Sequence, residues 1–316
     1  MMGMVDIMAK SPTRRTATAE AVVTMRPETV DRIRDGGVPK GDPRPVAEAA
    51  AALAVKNTGA IIPYCHPVPV EKVDVAFSLD ETAVTVTVTV GNIARTGVEM
   101  EAMTGAAVAA LTVYDMVKMI DDSAAIGGVR LLEKTGGKSE KWRRRRPRGL
   151  QAAVVVLSDS IAAGRKEDIS GRMIVERLER EGVAVADYTV IPDDTDTLVD
   201  LLRDYADRRR LNLVVTTGGT GFAPRDNTPE AMARVVEREA PGIAEAARAY
   251  GQERTPLSML SRARAGIRGR TLIVNLPGSR GGVADSLDAL FPALLHAFRM
   301  LRGEGHDDDP RPEVKE

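Results

Sequence analysis

The chain has 316 residues, about twice the length of a common single domain, so we expect two domains. Its 45 acidic and 44 basic residues nearly cancel, which excludes a strong overall field that would attract nucleic acid or a membrane surface. A single cysteine, Cys65, excludes an intrachain disulfide, and with only three histidines it leaves no zinc cluster. The segment Met1 to Lys10 lacks the apolar core of a signal peptide, and no stretch is apolar enough to span a membrane. We therefore expect a cytoplasmic protein.

The composition changes between Gly136 and Gly149, where seven basic residues, four of them consecutive arginines, accompany one acid. A short basic run between folded units is typical of a solvated linker, although it can also bind polyanions. Without interleaved aromatic residues or a known motif, it does not favour a nucleic-acid partner. The acidic, proline-containing end is typical of disorder. We predict domains at residues 1–138 and 151–302, a linker at 139–150 and a disordered tail at 303–316.

The N-terminal half contains both strand and helix patterns. Strict alternation from Ala83 to Val90 puts valines on one face and threonines on the other, which predicts a half-buried strand. Helical spacing runs over Pro45 to Asn57 and Val98 to Asp121, and the second helix carries the apolar residues Met103, Ala107, Ala110, Leu111, Tyr114 and Val117. The pattern predicts an α+β sandwich, which we describe as ferredoxin-like, with helices on one face of the sheet.

Charged residues lie at both ends of the longer predicted helix. Asp115 and Lys118 are three residues apart and therefore lie side by side, either as an acid–base pair or as an ordinary surface ion pair. Glu99 and Glu101 lie at the start, and a continuous helix would separate Glu101 from Asp115 by roughly 21 Å. Either the two ends serve opposite parts of a long substrate, or the site forms across a subunit interface.

Three loops add weaker signals. The loop Ile62 to Pro67 presents His66 between prolines, which restrict the backbone, although a lone histidine is usually structural. Lys40 and Lys134 each precede glycines, in loops of the kind that often contacts phosphate. None of these signals identifies a site by itself.

Together, residues Met4 to Lys138 resemble the cyclic pyranopterin monophosphate synthase (MoaC) family. The resemblance rests on Met4-Val5-Asp6, Val23-Thr24-Met25-Arg26, Lys40-Gly41-Asp42, Cys65-His66-Pro67, Thr96-Gly97-Val98-Glu99-Met100-Glu101-Ala102, Tyr114-Asp115-Met116 and Gly136-Gly137-Lys138-Ser139. It implies conversion of 3′,8-cyclo-7,8-dihydroguanosine 5′-triphosphate into cyclic pyranopterin monophosphate and pyrophosphate, with no cofactor. The family's hexamer, with sites between subunits, agrees with the helix-length argument and implies a homo-oligomer, most simply a hexamer.

The same resemblance assigns roles in the N-terminal half. Asp115 and Lys118 resemble the central acid–base pair, and Lys40 and Lys134 resemble catalytic partners of the substrate or its phosphates. The implied substrate contacts are Tyr64, Cys65, His66, Glu99, Met100 and Glu101. Tyr64 stands where the family pattern leads us to expect leucine or another apolar residue, which puts the local substrate packing in doubt.

In the second half, short apolar runs alternate with amphipathic stretches. The runs Ala153–Leu157, Leu211–Val215 and Thr271–Leu276 predict buried parallel strands, and Gly171–Glu181 and Thr195–Ala206 predict crossover helices. This pattern predicts a doubly wound α/β domain with a mostly parallel sheet. Because ligands bind at the carboxyl ends of such strands, the loops that follow them should converge.

These loops carry the signals for phosphate and metal. They contain Ser158 and Asp159, then Gly218, Gly219, Thr220 and Gly221, and finally Pro277, Gly278 and Ser279. Glycines let backbone N–H groups approach a phosphate, although such a loop is also a common tight turn, and no Walker lysine follows. Asp193 and Asp226 also follow strands, and carboxylates beside a phosphate cradle are typical Mg²⁺ ligands.

Residues Ala152 to Leu301 resemble the molybdopterin adenylyltransferase (MoaB/MogA) family. The most specific blocks are Thr217-Gly218-Gly219-Thr220-Gly221, Arg225-Asp226-Asn227-Thr228-Pro229-Glu230 and Asn275-Leu276-Pro277-Gly278-Ser279. The resemblance implies transfer of AMP from Mg-ATP to molybdopterin, with Asp193 and Asp226 as metal and catalytic carboxylates. The alternative is a module that binds a pterin or nucleotide without turnover, since some family members have lost catalysis.

Overall fold

The computed structural model describes residues 3–137 and 148–303. The chain divides into two compact units, Met1–Lys138 and Ser139–Glu316. Almost all of the predicted linker and tail lies outside the described residues, so both interpretations stay predictions. Within the described ranges, no helix is long and apolar enough to cross a membrane.

The described part of the N-terminal domain contains four strands and three helices. In chain order they are β1 (Thr13–Thr24), α1 (Pro27–Arg34), α2 (Pro43–Ile61), β2 (Lys72–Leu79), β3 (Ala83–Ala94), α3 (Glu99–Val117) and β4 (Ala125–Thr135). The strands form one antiparallel sheet in the order β2-β3-β1-β4. Each helical crossover therefore skips one intervening strand, a split βαβ arrangement. The predicted α+β architecture is confirmed, whereas its ferredoxin-like description stays a prediction.

The alternation in β3 gives this sheet its two faces, as predicted. The buried residues of the alternating stretch are Val84, Val86, Val88 and Val90, and the threonines between them are partly exposed. These valines pack with alanines of β1, α2 and α3 into one core. The other face of β3 carries the threonines, so the core lies on the helix side.

The buried face of α3 agrees with the predicted apolar residues only in part, since Ala110 and Val117 are buried and Met103 packs against the core. Leu111 and Tyr114 are exposed, and the face that packs inward consists mainly of alanines, with Val113 among them. Small side chains let α3 approach α2 closely: a Cβ added to Gly105 would lie 2.7 Å from Val55 Cγ2. Hydrophobicity alone therefore misplaced the largest side chains, because close helix packing selects small residues over large ones.

The end of α3 also differs from the prediction. The helix ends at Val117, and Lys118 occupies the C-cap position, rather than continuing to Asp121. The Asp121 carboxylate is buried and accepts hydrogen bonds from the backbone N–H of Arg26 at 2.7 Å and the Thr29 hydroxyl at 2.9 Å. Asp121 thus connects the helix exit to the start of α1.

The described part of the C-terminal domain contains six strands and seven α-helices. In chain order they are β5 (Gln151–Leu157), α4 (Asp159–Ala162), α5 (Ser170–Arg180), β6 (Ala184–Ile191), α6 (Thr195–Arg203), β7 (Leu213–Thr217), α7 (Thr228–Val235), β8 (Arg238–Glu239), α8 (Pro241–Gln252), β9 (Ala265–Arg268), β10 (Thr271–Leu276), α9 (Arg280–Leu290) and α10 (Ala297–Leu301).

The C-terminal sheet has the order β6-β5-β7-β10-β9-β8, and its first four strands are parallel. Strands β9 and β8 add an antiparallel edge that the sequence reading missed. Successive residues of β5 point to opposite faces of the sheet. Val154 packs into one hydrophobic core and Val155 into a second, separate core. Both faces are therefore covered, and the predicted α/β architecture with a mostly parallel sheet is confirmed.

Two predicted boundaries in this domain are wrong. The third strand of the sheet spans Leu213–Thr217 rather than Leu211–Val215, because Arg210 has φ of 51° and turns the chain just before the strand. Helix α6 ends at Arg203, and the predicted remainder continues as a π-helical turn over Asp204–Arg208.

Candidate active sites

At the carboxyl end of α3, one carboxylate lies between two ammonium groups. Lys118 Nζ is 2.6 Å from Asp115 Oδ1, and Lys40 Nζ is 2.7 Å from Asp115 Oδ2. Lys40 comes from the loop between α1 and α2, and its Nζ also donates to the Asp115 carbonyl oxygen at 3.0 Å. The structure thus brings together the predicted acid–base pair and one of the two predicted phosphate contacts.

This cluster is exposed, and its charges shift the pKa values of Asp115 and Lys118. Hydrogen bonds from Lys118 and then Lys40 lower the pKa of Asp115 to about 2. The hydrogen bond to Asp115 in turn raises the pKa of Lys118. Asp115 and Lys118 are therefore both charged at neutral pH, and with two lysines around one carboxylate the cluster has a net positive formal charge open to solvent. Such a cluster can bind a phosphate and hold a proton donor beside it.

A second group lies at the amino end of α3. Lys134 Nζ on β4 is 3.1 Å from Glu99 Oε1. Burial opposes ionisation of Glu99, but its backbone hydrogen bond and the nearby Lys134 and Arg15 outweigh burial and lower its pKa. Arg15 on β1 is a residue that the sequence reading did not select, and its Nε donates to the Ala94 carbonyl oxygen at 3.0 Å.

Glu101, two residues after Glu99 on α3, is 2% exposed. The Cys65 Sγ lies 3.6 Å from Glu101 Oε1, while Glu101 Oε2 is buried without a hydrogen-bond partner among the described residues. Burial raises the pKa of Glu101 and outweighs the opposite effect of its backbone hydrogen bond and of Cys65. Burial and the Glu101 charge raise the pKa of Cys65 to about 11. A carboxyl group with a raised pKa beside a thiol is a candidate proton donor or acceptor.

The other predicted contacts at this end are more open. Tyr64 is 58% exposed and Met100 is 39% exposed. His66 is half-buried, and its carbonyl oxygen lies 3.8 Å from Cys65 Sγ. The loop packs against α2, since a Cβ added to Gly59 would lie 3.2 Å from Pro67 Cα. The predicted contact residues therefore gather at the amino end of α3, away from Asp115.

The two groups do not meet within one chain. Helix α3 runs without interruption from Glu99 to Val117, and the 14 residues from Glu101 to Asp115 span roughly 21 Å at a rise of about 1.5 Å per residue. A small substrate cannot contact both ends of α3 of the same copy.

In the C-terminal domain, the loops after β5, β7 and β10 converge. The Gly218 N–H donates to the Leu276 carbonyl oxygen at 3.2 Å, and the Thr217 hydroxyl donates to the Pro277 carbonyl oxygen at 2.6 Å. A Cβ added to Gly218 would lie 2.3 Å from the Leu157 carbonyl oxygen, and a Cβ added to Gly278 would lie 3.2 Å from Gly218 Cα, so the three loops approach one another closely. Gly218 also has φ of 105°, so the turn requires glycine there.

Of the remaining predicted residues in these loops, some stabilise the fold and others lie beside the candidate site. Ser158 and Ser279 cap α4 and α9, accepting hydrogen bonds from the N–H groups of Ile161 and Gly282. Gly219 has φ of 62° and packs against Thr228, and Thr220 is buried. Gly221 lies beside the Asp226 carboxylate, where an added Cβ would be 2.8 Å from Oδ2.

Asp193 interacts with two other carboxylates, those of Asp159 and Asp226. The Asp193 N–H donates to Asp159 Oδ1 at 3.1 Å. Burial raises the pKa of Asp193, and the negative charges of Asp159 and Asp226 raise it further, against the opposing charge of Arg225. The described residues hold no ready-made cluster of three or more metal ligands. This arrangement fits Mg²⁺, which is usually held by one or two carboxylates together with substrate phosphates and water.

A cavity of about 280 Å³ lies beside the Pro277 loop. It is bounded by α8, the turn Pro256–Leu260 and the start of α9, and several serine hydroxyls line it. Asn275 also lines it, and its Oδ1 is buried without a hydrogen-bond partner among the described residues. In the sequence, this cavity was indicated only by the family-matching block that begins at Asn275.

Comparisons with known proteins cover both halves. The MoaC family profile matches residues 4–137, and a family described as a probable molybdopterin binding domain matches residues 153–296. A cyclic pyranopterin monophosphate synthase of Brevibacillus brevis is 49% identical over 142 residues, 45% of this chain and 89% of that protein. A solved structure of the molybdopterin biosynthesis enzyme MoaB from Thermus thermophilus is 44% identical and covers 49% of this chain and 97% of its own, with a TM-score of 0.47.

One similarity extends over nearly the whole chain. A molybdenum cofactor biosynthesis bifunctional protein of Chlorobaculum tepidum is 40% identical over 306 residues, which are 97% of this chain and 96% of that protein. Because this similarity includes both halves, and each half also matches its own family profile, the chain belongs to the family of bifunctional molybdenum cofactor biosynthesis proteins, with a MoaC domain followed by a MoaB/MogA-type domain.

Proposed function

We propose that the N-terminal domain converts 3′,8-cyclo-7,8-dihydroguanosine 5′-triphosphate into cyclic pyranopterin monophosphate and pyrophosphate. The observation that carries this proposal is the cluster in which Lys40 and Lys118 both contact Asp115. Its net positive charge suits a triphosphate, and its ionised carboxylate suits proton transfer during ring opening and closure. The synthase of Brevibacillus brevis that resembles this half supports the same reaction.

In this proposal the two ends of α3 perform different tasks. Lys40 and Lys118 neutralise phosphate oxygens, and the Asp115–Lys118 pair passes a proton, a contribution of about 10²–10⁴-fold in general acid–base catalysis. Glu101, which is buried beside Cys65, exchanges a proton with the ring system at the opposite end. Lys134, Glu99 and Met100 contact the remainder of the substrate.

The distance between the two ends of α3 is the basis for proposing a homo-oligomer. Since the Asp115 end and the Glu101 end of one helix lie roughly 21 Å apart, we propose that each active site combines opposite ends of α3 from two copies of the chain. A closed homo-oligomer, with the hexamer as the simplest form, provides such sites. Closed symmetric assemblies are the usual form of soluble homo-oligomers.

The test of the N-terminal activity uses the purified full-length chain and the cyclic dihydroguanosine triphosphate. We expect formation of the pterin product with release of pyrophosphate, and loss of both in Asp115→Asn. Asp31→Asn is the matched control, because it breaks another exposed i,i+3 ion pair, with Arg34 at 2.5 Å, outside the cluster. Absence of product from the wild-type chain contradicts the proposal.

For the C-terminal domain, we propose transfer of AMP from Mg-ATP to the phosphate of molybdopterin. The observation that carries this proposal is the placement of Asp193 and Asp226 beside the converging glycine-rich loops. When bound, Mg²⁺ neutralises the phosphate charge that develops during adenylyl transfer. Asp193 and Asp226 would hold the ion, and Asp159 orients Asp193 by accepting a hydrogen bond from its backbone N–H at 3.1 Å.

The other groups in this domain bind and orient the reactants. The backbone of the Gly218 loop provides close approach for phosphate oxygens. The nearby cavity accepts a heterocycle, with Asn275 Oδ1 as a free acceptor for a ring N–H. Pro277, Gly278 and Ser279 form the wall between the cavity and the phosphate loop.

The alternative for this domain is binding of a pterin or nucleotide without turnover. The two functions are separated by measuring pyrophosphate release from ATP with and without molybdopterin. Release that depends on molybdopterin and is lost in Asp226→Ala supports the transferase. Tight binding of either ligand without any pyrophosphate release supports the binding module instead. Asp207→Asn is the control, because Asp207 pairs with Arg268 at 2.8 Å and precedes β7, whereas the glycine-rich loop follows the other end of that strand.

A further inference from the structure

Arg262 contacts both ends of the segment that carries Asp226. Its backbone N–H donates to the Thr220 carbonyl oxygen at 2.9 Å. Its side-chain Nε donates to the Gly221 carbonyl oxygen at 2.8 Å, and its Nη2 donates to the Asp226 carbonyl oxygen. One side chain thus joins the beginning and the end of the loop between β7 and α7.

The third nitrogen of Arg262 extends the contact into α7. Nη1 pairs with the carboxylate of Glu230 in the first turn of that helix, and the hydrogen bond lowers the pKa of Glu230. This ion pair is exposed on the Glu230 side, so it contributes little to stability by itself. The contacts to the two carbonyl oxygens are the ones that fix the loop.

The direction of the Asp226 carboxylate depends on this loop. Asp226 Oδ2 accepts a hydrogen bond from the Ala223 N–H at 2.9 Å, and the Asp226 N–H donates back to the Ala223 carbonyl oxygen at 2.8 Å. Gly221 packs so closely that an added Cβ would lie 2.8 Å from Asp226 Oδ2. A shift of the Gly221 or Asp226 backbone therefore redirects the carboxylate.

We propose that Arg262 is a positioning residue that holds the Asp226 carboxylate toward the metal–nucleotide. This inference rests on the proposed transferase function of the domain. Arg262 contacts Asp226 only through the backbone carbonyl, so it acts through Asp226 and takes no part in the chemistry itself. The planar guanidinium places three donors in fixed directions, which a lysine ammonium on a flexible chain cannot reproduce.

A purely structural role for Arg262 predicts a different outcome. If it only stabilised the domain, its removal would resemble the removal of any other well-paired arginine. Arg268 on β9 provides that comparison, because it pairs with Asp207 through two nitrogens at 2.9 and 2.8 Å and donates to the Val235 carbonyl oxygen at 3.1 Å. None of these partners belongs to the glycine-rich loop.

The experiment compares Arg262→Ala, Arg262→Lys and Arg268→Ala in the full-length protein. Binding of Mn²⁺ with a non-hydrolysable ATP analogue is followed by electron paramagnetic resonance, and hydrogen exchange is followed in the peptide that contains residues 221–230. We expect both Arg262 variants to weaken Mn²⁺ binding roughly 10–100-fold, the effect typical of losing an outer partner of a metal ligand. The Ala223 amide should exchange faster in both, and Arg268→Ala should leave both measurements unchanged.

The outcomes separate this inference from the proposed function. Wild-type Mn²⁺ binding in both Arg262 variants overturns the positioning role, as does equal weakening in Arg262→Ala and Arg268→Ala. Restored binding in Arg262→Lys also overturns it, because charge alone would then suffice. If Arg262→Ala fails to fold, Arg262→Lys decides. A wild-type chain that binds Mn²⁺ and the analogue but transfers no AMP contradicts the transferase, while the comparison of variants still decides the role of Arg262.

Discussion

The Lys40 ammonium lies 2.7 Å from the Asp115 carboxylate and 3.0 Å from the carbonyl oxygen of the same residue. Lys40, in the loop that precedes α2, is thereby held at the carboxyl end of α3. The second ammonium, from Lys118, approaches the other carboxylate oxygen at 2.6 Å. Asp115 is thus the centre of a charged cluster that brings a predicted acid–base pair and a predicted phosphate contact together.

The first prediction concerns this cluster. Asp115→Asn and Lys118→Ala should each lower cyclic pyranopterin formation by about 10²–10⁴-fold, the range for loss of a general acid or base. Because the pKa of Asp115 is lowered to about 2, its charge does not change in the mildly acidic range. Asp115→Asn should therefore lower the rate at every pH in this range, and the decline of the rate towards acid should keep the shape it has in the wild type.

Steady-state assays of the purified variants across pH check this prediction, with circular dichroism to verify folding. Asp31→Asn should retain wild-type rates, because its ion pair with Arg34 lies elsewhere. Wild-type turnover in either cluster variant would remove that residue from the mechanism.

The second prediction concerns the stability of the N-terminal domain. The pKa of Glu101 is raised, chiefly by burial, so its ionised form is less stable in the folded state than in the unfolded chain. That cost is absent below the ordinary glutamate pKa of about 4.3, grows as pH rises from there to the folded-state pKa, and is constant above it. Glu101→Gln should therefore raise the free energy of unfolding at neutral pH by about 1–3 kcal/mol, and the gain should vanish in acid.

Glu99 is the matched control for this measurement. Its pKa is lowered, so its ionised form stabilises the folded state above its unfolded value, and that stabilisation is lost as pH falls. Glu99→Gln should lower stability at neutral pH, the opposite sign to Glu101→Gln two residues away. Thermal unfolding at several pH values measures both, and equal signs at neutral pH would contradict the interpretation of Glu101.

The sequence predicts the architecture of both domains well where periodicity is strong. The alternating valines of β3 and the apolar run Thr271–Leu276 match the structure. It is only partly right for the face of α3: Ala110 and Val117 are buried as expected, but close packing of that helix selects alanine and glycine, and Leu111 remains exposed. Hydrophobic periodicity measures the burial of large side chains and does not register close contacts between small ones.

The candidate sites show the same limit. The i,i+3 spacing of Asp115 and Lys118 is readable from the sequence, because a helix fixes their separation. The contact of Lys40 with Asp115 depends on tertiary folding and was not predicted, since the sequence indicated Lys40 only as a partner of the substrate or its phosphates. No sequence pattern indicated a role for Arg262, which became visible only through its contacts with two backbone carbonyl oxygens.

The third prediction concerns the independence of the two activities. Asp226→Ala and Asp193→Ala should each remove Mg-ATP-dependent adenylylation, because both carboxylates belong to the proposed metal site. Neither variant should change cyclic pyranopterin formation, since Asp115 and its partners belong to the other domain. Parallel assays of both reactions on one preparation make the comparison. Simultaneous loss of both activities would indicate unfolding or a shared site and would contradict the separation.

The fourth prediction concerns the assembly of the N-terminal site. Glu101 and Asp115 lie on the same uninterrupted helix, about 21 Å apart by helical rise, so a site that uses both must combine two copies. Glu101→Ala and Asp115→Asn chains should each be inactive alone and should regain part of the activity when co-assembled, because some sites then pair an intact Glu101 with an intact Asp115. Co-refolding the two variants and measuring product formation tests this prediction. The control mixes the Glu101→Ala, Asp115→Asn double variant with either single variant, because one of the two residues is then absent from every chain and no complete site can form. No recovery in mixed oligomers verified by mass spectrometry would show that each chain holds a complete site, and a monomer by light scattering would contradict the shared site directly.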